Sequence, residues 1–502
     1  MKRIFSVLAV LIISVCNVFA AEKIYNVDVC VVGAGAGGTT AAVSAQEAGF
    51  KTILLEKMPF TGGAGNFMEG SFAAESFMQK KEKIPLTKEQ AFNNIMKYHH
   101  WISNAELTKS FVDESAETIQ WVWDHGVHYK EVKSAFKDNP VKTWHIYPTA
   151  GAYFIRNMVN TFLDEGGTLL LETPGKQLLF DKDGKITGVL AENYKGETVQ
   201  INAKYVILAT GGYANNIPMI VQYGGPESVP TGPDGRMGDG IKMAMSAGAA
   251  LDNMGPLEVN GAMLISPGEA ICNGNNAELR AMFRQSLLYV NAKGERFFNE
   301  QETIDWPMAS NAIGRQGKYT YVVFDADTLK EFQTTGYLNP CGNWIKRGQP
   351  MKRFDELFPQ NVEKGYAFQG ATLEEVAKKA GMDPETLKKT AVAITKNAET
   401  GYDAQFGKDK RFIRAVAKGP FYVLKGQIHH LTTLGGAKVN GHLEVISKEG
   451  NIIPGLYAIG HDAGGLYGDS YDLTIGEGTS SAFAINGGRI AVKDIIQKSS
   501  SK

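Results

Sequence analysis

Cysteine is scarce, at four residues in 502, and no CxxC pair or CxxCH run occurs. A cysteine metal site and a covalently held haem are therefore excluded. No metal site of any kind is expected, and electrons, if the chain uses them, must come from a separate protein. Cys30 falls inside an apolar run and is expected to be buried and inert. Cys272 and Cys341 are compatible with a disulfide in an exported chain, but their spacing does not set one. Excess charge is also missing: 52 Lys and Arg face 53 Asp and Glu. That balance argues against nucleic acid or an anionic membrane as the main partner. Long apolar runs are limited to one. Lys2 and Arg3 precede the apolar stretch Ile4 to Val15, and Val18-Phe19-Ala20 fits a cleavage site. Residues 1–20 read as a Sec-type signal peptide, which places the mature chain in the periplasm with no span left.

Glycine is plentiful, and it clusters in loops. The stretch Val27 to Gly38 runs Val-Asp-Val-Cys-Val-Val into Gly33-Ala34-Gly35-Ala36-Gly37-Gly38, and a small-residue helical pattern follows. Strand, glycine turn and helix in that order are the context in which GxGxxG signals dinucleotide binding. Gly33 makes the turn, Gly35 admits a pyrophosphate, and Gly38 lets helix and strand pack closely. The helix N-terminus offers free N–H groups to phosphate. A second apolar strand, Thr52 to Leu55, ends in Glu56. A carboxylate there accepts from ribose hydroxyls and repels a 2′-phosphate.

Further along, Pro59 to Asn66 forms a second glycine loop, and Thr87 to Val127 has helical periodicity. Short strands follow over Thr168–Leu171, Lys176–Phe180, Ile186–Glu192 and Val199–Ile201, with Asp181 to Gly184 as a hairpin turn. Tyr205 to Gly212 reads as a buried strand ending on glycines. The segment from about Gly255 to Ile428 changes character. It mixes aromatic, basic and Asn-rich loops around one helical hairpin, Thr372 to Lys379 and the helix after Asp383-Pro384. Leu456 to Gly460 returns to the strand-then-glycine style, and a final helix is expected from about Gly478 to Ile496.

In this order the stretches resemble the fumarate reductase/succinate dehydrogenase flavoprotein superfamily, particularly its soluble, exported flavocytochrome c and urocanate reductase-like branch. The matches are Gly33 to Gly38, Glu56-Lys57-Met58-Pro59 with Gly62-Gly63, Ala209 to Tyr213, Gly238-Asp239-Gly240, Gly294 to Glu300 and Pro454 to Gly460. The resemblance implies an α/β protein: a Rossmann-like FAD-binding domain of glutathione-reductase type, interrupted by an α+β capping domain. The implied boundaries are 21–255 with 430–496 for the FAD domain, 256–429 for the cap and 497–502 for a disordered tail. It implies non-covalent FAD. The cofactor set is Gly33, Gly35, Gly37, Gly38, Glu56, Lys57, Thr61, Gly62, Gly63, Ala64, Gln177, Ala209, Thr210, Gly211, Asp239, Gly460, Asp462, Thr474 and Ile475. Asp239 either bonds ribityl hydroxyls or fixes the loop around them, with a plain turn residue as the alternative.

The substrate residues depart from that pattern. Ile304 stands where the family's proton-donating arginine is expected, and Tyr471 where an arginine clamps a carboxylate. Asn260 replaces a histidine. Isoleucine donates no proton and tyrosine forms no bidentate carboxylate pair, so fumarate is a poor substrate. The remaining candidates for catalysis are Tyr471, His430 and Arg284. Tyr471 lies in a loop similar to the tyrosine loop of ketosteroid dehydrogenases, where a hydroxyl polarises a carbonyl or moves a proton. His429-His430 precede a glycine pair with a slip of one or two residues from the family's histidine; an interdomain structural role is the alternative. Arg280 and Arg284 share a face if helical, and either clamp an acidic group or pair with Glu278 and Glu295. The expected activity is reduction of an activated, enoate-type C=C bond, fed by a periplasmic cytochrome or quinol-linked donor. The alternative is a dehydrogenase forming a C=C bond beside a ketone. A closable cap argues against a simple electron carrier.

Overall fold

The computed structural model describes residues 23–134, 141–264, 275–341 and 344–500. The signal segment and Cys272 lie outside the described residues. Strand Lys23–Val32 sits at the centre of an eight-stranded sheet. Thr52–Leu55 pairs parallel on one side and Thr198–Leu208 on the other. Thr168–Leu170 extends the first flank, and Ile452–Ala458 extends the second, both parallel. The β-branched run Val29 to Val32 is fully covered, as a central parallel strand with helices over its faces must be. The hairpin Gly175–Phe180 and Ile186–Glu192 hangs on the edge of Thr198–Leu208.

Register decides where a site forms. Val32 pairs with Leu55 and with Leu208, and Leu208 pairs with Ala458. Four parallel strands thus end at one level. Gly33, Glu56, Ala209 and Ile459 leave the sheet from the same edge, the carboxyl edge at which open α/β sheets bind ligands. Helix Ala36–Glu47 and the C-terminal helix Thr479–Ser500 cross behind that edge in close contact. A Cβ on Gly37 would stand 2.9 Å from Ala484 O, and one on Gly488 2.8 Å from Ala41 N, so both glycines set the helix spacing.

A second, six-stranded sheet forms the other half of the molecule. Its spine is the long strand Phe421–Thr433. Leu257–Leu264, Thr320–Phe324 and Ala367–Gly370 pair antiparallel with it, Val229–Pro230 pairs parallel, and Leu288–Val290 pairs with Thr320–Phe324. The helical hairpin is present as Leu373–Ala380 and Pro384–Thr400. Thr372 and Asp383 cap the two N-termini, and Gly381 ends the first helix at φ 76°.

Several expectations change. Thr87 to Val127 divides into Lys88–Tyr98 and Ala105–Asp124, capped by Thr87 and Asn104. The two strands expected over 199–212 are one continuous strand, Thr198–Leu208. The spine strand crosses the expected boundary at 429/430, because its two ends serve different neighbours. Residues 497–500, expected as tail, continue the last helix. Lys498 bonds Asp494 at 2.6 Å and also pairs with Glu444, while Tyr205 Oη lies 3.2 Å from Ser499 Oγ.

Candidate active site

The nucleotide cradle starts at Gly33. Its φ of 108° is the left-handed region, and a Cβ there would stand 2.3 Å from Ala209 O. A Cβ on Gly38 would fall 1.8 Å from Gly33 O. Gly35 differs: a Cβ there would meet only Gly62 O, at 3.7 Å. Its missing side chain is demanded by no protein atom and leaves an opening at the helix N-terminus, which fits a pyrophosphate. The second glycine loop closes against this turn, with Gly62 N donating to Ala34 O at 2.8 Å. Asn66 Nδ2 donates to Thr61 O at 3.0 Å, and Gly63 to Phe67 form one short 3₁₀ turn with Ala64 exposed on it.

Glu56 is buried beside the cradle and accepts from Ala34 N and Met58 N, each at 2.9 Å. Those bonds use one lone pair on each oxygen, and a carboxylate has about four sites, so capacity for ribose remains. Lys57 Nζ forms an ion pair with Asp239 Oδ2 at 2.5 Å and also donates to Gly235 O. Asp239 is thereby tied to the strand end that carries Lys57, an arrangement compatible with its expected loop-fixing role. Lys57, Gln177, Asp239 and Lys242 line an open cavity of about 840 Å³ with Gly175 and Met243, in line with the edge strand. That volume falls within the range of small-molecule and cofactor sites.

On the other flank, Asp462 organises three segments. It accepts from Thr210 N at 2.5 Å, Thr210 Oγ1 at 3.0 Å and Gly212 N at 3.0 Å. Thr210 Oγ1 in turn accepts from Gly240 N at 2.8 Å. Burial raises the Asp462 pKa, and the Thr210 and Gly212 bonds oppose the rise. Gly460 begins the 3₁₀ turn that carries Asp462, and Gly211 has only Arg236 Cγ within reach, 3.8 Å from a built Cβ. Of the predicted cofactor residues, Gly37 also spaces two helices. The cradle, open at Gly35 and walled by 56–66, 209–212 and 460–462, fits FAD.

The candidate catalytic groups spread over two places. Tyr471 is buried, accepts from Gly478 N at 3.2 Å, and lies 5.9 Å from the Tyr467 ring centre. Burial pushes its phenol well above the ordinary value, with Glu258 and Asp472 adding to the rise. The glycine loop it bonds is clamped from behind. Phe72 N donates to Gly478 O at 3.0 Å and Thr143 Oγ1 to Glu477 O at 3.1 Å. Thr474 Oγ1 donates to Asp305 Oδ2 at 2.8 Å, and Ile475 N to Asp472 O at 3.2 Å. Ile304 is half-buried at the end of the turn that delivers Asp305.

His430 does not stand free for proton transfer. Its Nε2 lies 2.8 Å from Ala214 O, so that nitrogen donates, and Nδ1, 2.9 Å from Ser228 Oγ, accepts. Burial lowers it to about 4, which keeps it neutral. Because strand side chains alternate, His429 points the other way. Neither of its ring nitrogens has a hydrogen-bond partner among the described residues, and Arg280 lies close enough to help burial lower it to about 3. The histidine near Arg280 is thus His429, one residue earlier, while His430 has Arg236 in its neighbourhood. Arg284 is buried, donates to Asn260 O and stacks its guanidinium 3.9 Å over the Trp306 ring. Glu278 accepts the Lys352 and Arg353 amides, and Glu295 accepts from Asn291 Nδ2.

Three groups escaped the sequence reading. Tyr98 ends a helix and donates toward Asp305, while Glu258 is a buried carboxyl pushed by burial to about 7. Asp305 directly follows Ile304, and no local motif marks it. Among the described residues, no three His, Cys, Asp or Glu side chains are placed to hold a metal, and no helix is long and apolar enough to cross a membrane.

Comparison with known proteins agrees with the cradle. The model of the FAD binding domain family matches residues 28–474. The vinyl phenol reductase of Lactiplantibacillus plantarum is 32% identical over 470 residues, covering 92% of this chain and 94% of that protein. The cytochrome-type fumarate reductase of Shewanella frigidimarina is 29% identical over 453 residues, covering 88% and 73%. Among solved structures, the 3-ketosteroid Δ1-dehydrogenase of Sterolibacterium denitrificans superposes with a TM-score of 0.74 at 20% identity, covering 94% and all of that chain, which shows the shared fold. The chain belongs to the FAD binding domain family typified by fumarate reductase flavoproteins, and is an FAD-dependent oxidoreductase acting on C=C and CH–CH bonds.

Proposed function

We propose that the chain is a reductase of a conjugated C=C bond in a substrate without a second carboxylate, held non-covalently with FAD in the periplasm. When bound, FAD supplies the hydride. One observation carries the reading: the two places where the family pattern calls for arginine hold Ile304 and Tyr471, while carboxyls Asp305, Asp472 and Glu258 are buried around Tyr471. A dicarboxylate brought there would meet like charge with no bidentate partner from either position. Burial keeps the phenol of Tyr471 protonated at Oη, and in this reading it passes that proton to a substrate carbon once substrate binding relieves the upward shift. The near-full-length likeness to a vinyl phenol reductase supports an aryl-conjugated alkene.

Thr61 to Asn66 offer the flavin no histidine, cysteine or tyrosine for covalent attachment, which supports the non-covalent assignment. The lack of a haem or cysteine motif supports an external electron donor, a cytochrome or quinol-linked protein. Export rests on Lys2 to Ala20, which lie outside the described residues.

Anaerobic mixing of the photoreduced holoenzyme with a panel of alkenes tests this. 4-Vinylphenol is expected to reoxidise the flavin at least tenfold faster than fumarate; the reverse order sinks the proposal. The alternative direction, desaturation beside a ketone, is favoured by the tyrosine loop. It would show as bleaching of oxidised enzyme by a saturated cyclic ketone.

A further inference from the structure

Asp305 stands where three segments far apart in sequence converge. It leads helix Trp306–Gly314 and caps it, accepting from Met308 N at 3.3 Å. That capping needs one acceptor oxygen, which Asn or Ser supplies as well. The carboxylate accepts more. Tyr98 Oη lies 3.2 Å from both of its oxygens, and Thr474 Oγ1 lies 2.8 Å from Oδ2. Tyr98 belongs to the helix Lys88–Tyr98, and Thr474 to the loop that carries Tyr471. Tyr98 Oη is also 3.1 Å from the carbonyl oxygen of Tyr471 itself. Asp305 is thus joined to the Tyr471 loop through the Thr474 hydroxyl, and to Tyr98, whose single O–H is shared between this buried carboxyl and the Tyr471 carbonyl.

We propose that Asp305 is a positioning residue: its carboxylate docks the cap side of the molecule onto the Tyr471 loop through Tyr98 and Thr474. Docking the cap and setting Tyr471 are then one event. The two contacts tie together segments that share no strand pairing, the Thr474 bond at 2.8 Å being the tighter and the Tyr98 contacts at 3.2 Å the longer. The functional part rests on the reading of Tyr471 as the proton-holding group. The docking part does not.

The test uses the full FAD-loaded chain and the variants Asp305→Asn, Tyr98→Phe and their combination. Asp305→Asn keeps the helix cap, so it separates loss of docking from loss of folding; flavin content and melting temperature serve as folding controls. Amide hydrogen exchange over residues 469–478 is expected to speed by tenfold or more in each single variant, and no further in the double. Turnover is expected to fall tenfold or more in kcat with less than a threefold change in KM. Exchange within twofold of the unaltered protein in both single variants overturns the proposal. Faster exchange with unchanged turnover upholds the docking and faults the assignment of Tyr471 instead.

Discussion

At the scale of single residues, the two neighbouring histidines separate by their partners. His430 has both nitrogens bonded inside the protein, whereas His429 faces Arg280. His430→Gln is expected to leave turnover within threefold and to destabilise by about 1–3 kcal/mol, the cost of buried groups losing partners. His429→Gln is expected to lower kcat/KM tenfold or more with little loss of stability, and steady-state kinetics beside thermal melts decides between them. The pH dependence has a definite sign. An unfolded histidine titrates near 6.5, and His430 is held at about 4, so the unfolded state binds the proton first. Its contribution is intact above about 6.5 and is lost as pH falls towards 4. The slope of melting temperature against pH across that window is expected to flatten in His430→Gln. Tyr471→Phe removes the acceptor of Gly478 N and the only proton at that atom. A fall in turnover of about 10²–10⁴ with flavin content unchanged is expected if the phenol is the acid.

At the scale of elements, the strand–turn–helix at Val27 to Gly38 was legible because each part of its pattern has one physical cause. The β-branched run needs a covered strand, and the glycines answer distinct close approaches. Two of those approaches predict opposite phenotypes. Gly33→Ala places a Cβ against Ala209 O in left-handed backbone, so loss of folded protein is expected. The Cβ of Gly35→Val meets only Gly62 O, at 3.7 Å, so the variant is expected to fold, with the ratio of flavin absorbance to protein absorbance falling at least tenfold. Comparable flavin content in Gly35→Val would contradict the pyrophosphate assignment. The roles of Gly37 and His430 were not legible. Gly37 is explained by a helix 447 positions later, and the His429/His430 choice by strand pleat, which fixes facing only once register is known. Asp305 was hidden for a similar reason: its partners, Tyr98 and Thr474, are 207 and 169 residues away.

At the scale of the whole molecule, two large sheets divide the chain, and the second keeps its own ionic core. Arg296 Nε and Nη2 donate to the two oxygens of Glu300 at 2.8 Å, and its Nη1 and Nη2 donate to Asp403 at 2.8 and 2.7 Å. Lys408 Nζ adds a contact to Glu300 at 3.2 Å and a bond to Ser286 O at 2.5 Å. Two cations and two anions cancel, which is what permits their burial. Burial lifts Asp403, but Arg296 and the Lys408 and Gln405 amides outweigh it and hold the carboxyl at about 2. Its contribution is present above the unfolded value near 3.9 and is lost as pH falls towards 2. The quartet also fixes Glu300, the first residue of the turn that ends at Ile304 and delivers Asp305. Asp403→Ala leaves Arg296 with one carboxylate, and removing one partner of a buried pair costs about 3–5 kcal/mol. The loss falls on the second half of the molecule, because the partners of the Asp403 side chain lie between residues 296 and 408. Melting of the variant, followed by circular dichroism and flavin fluorescence together, is expected to split, with the first transition preceding flavin release by several degrees. Coincident transitions, shifted equally, would show instead that the two sheets unfold as one cooperative unit and that the quartet stabilises the nucleotide cradle as much as the cap.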